Sequence, residues 1–239
     1  MNRARGNGGQ ETRNKAGSAR IARLASAAAL LGLCSGFAMA AGGHHAVDDA
    51  AILDEGACKV ESWIARGGGE RLLHAGAGCR VGPLELSAGA DYARADGSSA
   101  TGYGLAAKWA AELATGVSVG VVLAPGWQAR VRPRYQGRTV LALATWAPRD
   151  DLSLHFNLGR DFLHRGDDEA RHGGSVEWTP RTDWTLVLER FRAEQTHFAR
   201  AGARWSFAQG WSVDLSRAQR LSGPGASDWT LGATWEFPR

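Results

Sequence analysis

Nowhere in this 239-residue chain is there an apolar run long enough to cross a membrane as a helix. Such a helix needs about 20 consecutive apolar residues. The nearest approach, residues 24–33, falls well short and sits in the N-terminal segment. Catalytic signatures are missing as well. Ser153 and His155 share a strand face, but no G-x-S-x-G turn or H-E-x-x-H pair surrounds any candidate nucleophile or base. The three cysteines, Cys34, Cys58 and Cys79, are not spaced with histidines as zinc ligands are. No catalytic residue, metal ligand set or cofactor is therefore assigned, and an enzyme is not expected.

An excess of charge is also lacking once the N-terminus is set aside. The chain holds 28 Lys+Arg against 24 Asp+Glu, but residues 1–40 contain six of the former and one of the latter, leaving 22 against 23. Nucleic acid, which needs a basic footprint, is not an expected partner. Residues 1–40 combine a basic head (Arg3, Arg5, Arg13, Lys15, Arg20 and Arg23), a short apolar core and the end Ala38-Met39-Ala40. That order is an export signal, cut after Ala40. Residues 41–56, small and acidic with His44-His45 and Asp48-Asp49, are expected to be a periplasmic lead-in.

What the chain does have is alternation. In residues 228–237, Trp229, Leu231, Ala233, Trp235 and Phe237 share one face, while Thr230, Gly232, Thr234 and Glu236 share the other. Period two over ten residues is a strand with one greasy and one wet face. Similar stretches are read at 58–65, 71–79, 84–92, a fourth ending at 109, 117–123, 139–146, 152–159, 175–178, 184–190, 196–207 and 211–217. The expected fold is therefore all-β, an antiparallel transmembrane β-barrel of about 12 strands (10–14) over residues 57–237. Short turn-rich connections alternate with longer ones, the longest being 124–138 and 160–173. Seven tryptophans, Trp109, Trp146, Trp178, Trp184, Trp205, Trp211 and Trp235, fall beside the short turns or the C-terminus. They are expected to form an aromatic girdle at the inner interface.

The last strand resembles the closing strand of Gram-negative outer-membrane β-barrels, although Pro238 and Arg239 follow its terminal aromatic. The resemblance implies insertion into the outer membrane by barrel assembly machinery, among outer-membrane lipid and lipopolysaccharide. It points to a small porin-like pore for solutes, with a closed structural or surface-binding barrel or a lipid-modifying enzyme as alternatives.

Parity assigns Lys108, His155, Asn157, Glu177, Glu189, Arg200, Arg204 and Asp214 to the lumen. They serve either as ion pairs filling a narrow interior or as a polar path for solutes, and the 41–56 segment is a further candidate to block that interior. Arg130, Arg132 and Arg134 make a basic external loop suited to lipopolysaccharide phosphates or an anionic solute. Pairing 58–65 with 71–79 sets Cys58 opposite Cys79 in a register that matches apolar parity on both strands, so a disulfide is expected. Arg190 and Arg217 fall on the lipid face, either at headgroup level or with parity reversed by a bulge.

Overall fold

The computed structural model describes residues 44–239, so the expected leader and its cleavage site lie outside the described residues. Twelve strands follow in order: β1 (Ala57–Gly67), β2 (Glu70–Val81), β3 (Leu84–Ala95), β4 (Ser98–Ala114), β5 (Val117–Gln128), β6 (Tyr135–Arg149), β7 (Leu152–Leu163), β8 (Glu169–Arg181), β9 (Trp184–Ala193), β10 (Thr196–Ala208), β11 (Trp211–Ser222) and β12 (Asp228–Pro238). Each pairs with its sequence neighbours, and β1 closes antiparallel on β12. Closure leaves no unpaired edge, which is what hydrocarbon demands of a backbone. Among the described residues there is no helix.

Alternation decides which residues face in. Along β9, Val187, Glu189 and Phe191 are buried, whereas Leu186 and Leu188 are exposed. Along β12, Thr230 and Thr234 are buried, whereas Trp229, Leu231 and Trp235 are exposed. A soluble protein would hide the second group, so this inverted arrangement marks a lipid-facing wall.

The two ends differ. At one end every connection is two residues long (82–83, 115–116, 150–151, 182–183 and 209–210), and here β1 begins and β12 ends. The seven tryptophans of the expected girdle lie at this end. Trp184 stacks on Trp205 and Trp211 on Trp235, and all seven are exposed. The other end carries the longer connections 129–134, 164–168 and 223–227.

Two loops are shorter than expected, and at 124–138 the strands extend outward as a hairpin, as alternation through Val131 suggests. Segments expected as loops at 124–138 and 160–173 are largely strand, because Pro125-Gly126 and Gly173-Gly174 interrupt the side-chain pattern without breaking the backbone ladder. Ala124 still pairs with Thr139 and Gly126 with Gly137, while Gly173 pairs with Asn157 and Gly174 with Phe156.

Residues 44–53 differ more. Expected as a periplasmic lead-in or as a segment that blocks the interior, they run inside the barrel, where Asp48 and Asp49 reach the inward ammonium of Lys108.

Candidate functional site

Residues 44–53 occupy the lumen, and its wall supplies hydrogen-bond partners to several backbone groups of that segment. Glu189 of β9 accepts hydrogen bonds from the Val47 and Ala46 backbone N–H groups at 2.9 and 3.4 Å. Thr145 of β6 accepts from Ala50 N–H at 2.8 Å, and Glu85 of β3 from Leu53 N–H at 3.1 Å. Arg200 of β10 donates to the His44 carbonyl at 2.6 Å, and Arg80 of β2 to the Leu53 carbonyl at 3.1 Å. With its amide oriented to suit both partners, Asn157 of β7 donates to the Asp48 carbonyl and accepts from the Asp48 N–H. A buried backbone needs such partners, and here side chains of a sheet supply what a neighbouring strand usually would.

Charge is matched in the same way. Lys108 Nζ donates to both Asp48 and Asp49 at 2.8 Å. Burial raises the Asp48 carboxyl to about 7 against the pull of Lys108. At Asp49 burial is outweighed by Lys108, which holds that carboxyl below its usual range. The two carboxylates thus share one ammonium. His44 Nε2 lies 2.6 Å from Ser216 Oγ, and burial pushes its imidazole down to about 3, with His45 and Arg200 pushing the same way. His45 stacks on His44 and lies between Glu189 and Asp214, at 3.6 and 3.7 Å.

Small wall residues make room for the segment. A Cβ on Gly232 would come within 3.2 Å of His44, and one on Gly202 within 3.3 Å of His45. Ala50 packs into an apolar patch on the inner wall made by Ala106, Val122, Ala124, Leu141 and Leu143.

Of the residues that parity assigns to the lumen, Lys108, Asn157, Glu189 and Arg200 hold the segment directly. Asp214 accepts from Arg204 at 2.8 Å through Oδ1, the same oxygen that faces His45. His155 faces Thr145 at 2.9 Å and Glu177 at 3.8 Å. The apolar inner patch, with Thr145, Ser216 and Arg80, was not singled out from sequence. Its signal was Leu141 and Leu143 on an inner face that alternation elsewhere makes polar.

Beyond the segment, toward the long-loop end, a cavity of about 1280 Å³ opens. His44 and Ala46 contribute to its lining from the plug, and Trp63, Arg132 and Arg171 from the wall and loops. Trp63 stacks on His74 at 3.6 Å, and His74 Nδ1 lies 2.6 Å from Asp91. The His74 ring lies across Gly76 and Gly89, where a Cβ would come within 2.9 Å of it. Arg171 is held by Asp161 at 3.0 Å. The remaining lining mixes arginines (Arg66, Arg165) with carboxylates (Glu70, Glu169), so neither sign dominates.

The basic loop lies at the mouth of this cavity, with Arg130, Arg132 and Arg134 all exposed. Cys58 and Cys79 are joined by a disulfide between β1 and β2. Arg190 continues the outward file of Trp184, Leu186 and Leu188, and Arg217 lies over the Trp229 ring at 5.4 Å. No register shift interrupts β9 against β10, or β11 against β12, so bulges do not turn these arginines inward. They belong to the outer wall.

No curated protein matches the chain. Among solved structures, the KdgM porin is similar, with a TM-score of 0.62 at 12% identity, covering 75% of this chain and 99% of that one. The NanC porin is similar at a TM-score of 0.55 and 10% identity, covering 74% and 98%. The fold is that of porin-like outer-membrane β-barrels. Residues 29–237 match the family described as uncharacterised conserved protein UCP029691, and the chain belongs to that family.

Proposed function

We propose that this protein is an outer-membrane channel for small polar solutes, closed by its own residues 44–53. The observation that carries the reading is the outward cavity of about 1280 Å³ floored by a segment that no strand pairing secures. The segment is held by individual side chains, each of which can release it. In this reading residues 1–40 are an export leader removed after Ala40, assembly machinery inserts the barrel, and the short-turn end faces the periplasm. One similar porin is described in complex with oligogalacturonate, so an acidic saccharide is a first solute to test. No catalytic step is assigned.

The test is single-channel conductance in a planar bilayer, comparing residues 41–239 with the same chain lacking 44–53. The shortened chain is expected to give large, steady steps, and the complete one small or rare openings. Silence from both folded proteins would sink the channel. A second reading rests on the exposed Arg130, Arg132 and Arg134 at the cavity mouth: a closed barrel that binds an anionic surface such as lipopolysaccharide through this loop. Charge reversal at these three positions separates the two, since a channel changes its ion preference and a binder loses its ligand.

A further inference from the structure

We propose that the outer wall of β8 to β10 carries a lipid-phosphate site, formed by His172, Arg190, Arg192 and His197, that holds the phosphates of lipid A in lipopolysaccharide. The strands put these residues together. His172 pairs across β8 and β9 with Arg192, and Arg192 pairs across β9 and β10 with His197, giving one row over three strands. The imidazoles of His172 and His197 lie 6.1 Å apart between centroids. Arg190 lies two residues below Arg192 on the same file, while Arg217, level with Leu188 through Ala201, leans over Trp229 of β12 and away from the row. Adjacent strands are about 4.8 Å apart, so the outer backbones of the row are about 10 Å apart while their two rings converge.

Height places the row at a headgroup. Eight residues separate Arg192 from the girdle residue Trp184. At about 3.3 Å per residue and a strand tilt of about 40°, that is roughly 20 Å of rise, close to the far edge of an apolar band about 25 Å tall. Below Arg190 and Arg217 the outward positions of these strands are apolar or small up to the girdle, including Leu186, Leu188, Ala201, Ala203 and Leu215. Carboxylates do not occupy the outward positions of β8 to β11, whose acidic residues, such as Glu177, Glu189 and Asp214, face the lumen.

Arginines on a lipid-facing wall without a protein anion call for an anion from the lipid. Arg192 Nε is shielded from solvent and has no hydrogen-bond partner among the described residues. A guanidinium grips phosphate through paired N–H groups, and flanking imidazoles add donors on either side. The loop arginines cannot serve here, because they stand at the cavity mouth between β5 and β6.

This site rests on the outer-membrane reading but not on an open lumen. The test is retention of lipid by the refolded full chain, counted by native mass spectrometry after incubation with diphosphoryl lipid A, its dephosphorylated form, or phosphatidylethanolamine. The wild-type protein is expected to keep diphosphoryl lipid A at least tenfold better than the other two. Arg190→Gln with Arg192→Gln should remove that preference, and Arg192→Lys alone should keep part of it. Loss of the preference on replacing Arg130, Arg132 and Arg134 with Gln, with the preference kept in the double variant, would place the lipid phosphates on the loop and overturn the proposal. Equal retention of all three lipids by the wild type, or undiminished preference in the double variant, overturns the proposal. If the double variant does not fold, as judged by a heat-shifted band, the selectivity of the wild type decides alone. Selective retention beside a silent bilayer would sink the channel and leave this site standing.

Discussion

Glu189 shows how much one side chain carries in this barrel. Its carboxylate, itself out of water, receives two backbone N–H groups of the plug and the Arg200 guanidinium at 3.2 Å. Removing one partner of a buried charge pair typically costs about 3–5 kcal/mol, because the other is left uncompensated. Glu189→Leu is therefore expected to loosen residues 44–53 far more than it harms the wall. Faster amide exchange at Val47, with strand amides unchanged, would report this; equal protection in both proteins would argue against it. Parity made such residues visible as inward-facing, since a polar side chain between Leu188 and Arg190 must point somewhere. It did not reveal their partner, because side chain to backbone bonds between residues over a hundred positions apart leave no periodic trace.

Glu194 offers a test at the same scale. It occupies the two-residue turn between β9 and β10, where Glu194 and Gln195 have φ of 49° and 59°. Burial raises its carboxyl from the ordinary 4.5 to about 7, with Asp161, Glu169 and Glu70 adding to that and Arg171 opposing it. The folded protein thus holds this proton more tightly than the unfolded chain. The stabilisation is present below about 4.5 and lost as pH rises through about 7. Denaturant midpoints for the wild type should fall between pH 5 and 8 by an amount worth on the order of 1 kcal/mol, and Glu194→Gln should flatten that fall. Parallel pH curves for the two proteins would contradict it.

At the scale of elements, the strands were legible and the connections less so. Twelve alternating stretches were visible because lipid outside and polar groups inside impose period two on every strand. Their ends were not, since Pro125-Gly126 and Gly173-Gly174 carry no side chains that alternate, yet the backbone pairs through them. The plug was the hardest element to read. It has no periodicity, and its acidic pair looks as much at home in solvent as against Lys108. Reversing that lysine offers a test. Lys108→Glu sets a third carboxylate against Asp48 and Asp49, and the plug should leave the lumen. A protease added to refolded protein should then cut within residues 44–53 at least tenfold faster than in the wild type. Unchanged cleavage would mean that the remaining hydrogen bonds hold the segment by themselves.

The β1–β2 hairpin is tied independently of the plug. The disulfide links positions 21 residues apart. By the chain-entropy account, closing a loop of that size stabilises the fold by about 3 kcal/mol. Reduction should lower the unfolding midpoint accordingly, and an unchanged midpoint would show that barrel closure alone supplies the constraint.

For the molecule as a whole, charge is sorted by depth. The girdle end carries its tryptophans outward, the opposite end of the outer wall carries Arg190, Arg192 and Arg217, and the carboxylates of β7 to β12 lie inside or in connections. An outward arginine at mid-bilayer would cost about 2–4 kcal/mol, falling to about 0–1 at an interface. The distribution is therefore consistent with a single direction of insertion. A barrel of this kind should resist detergent until heated, so the folded band should shift on boiling. A band that does not move, from protein that stays soluble without detergent, would contradict the membrane assignment.

The plug is joined to β1 by only residues 54–56, and this sets how it competes. A short tether confines its end to the neighbourhood of the lumen, which corresponds to an effective concentration in the millimolar range. Reclosure is then a first-order event, indifferent to dilution and to how many copies share a membrane. A free peptide with the sequence of residues 44–53 would have to reach millimolar levels to silence a channel whose own plug had been deleted, and the same peptide at micromolar levels should leave it conducting.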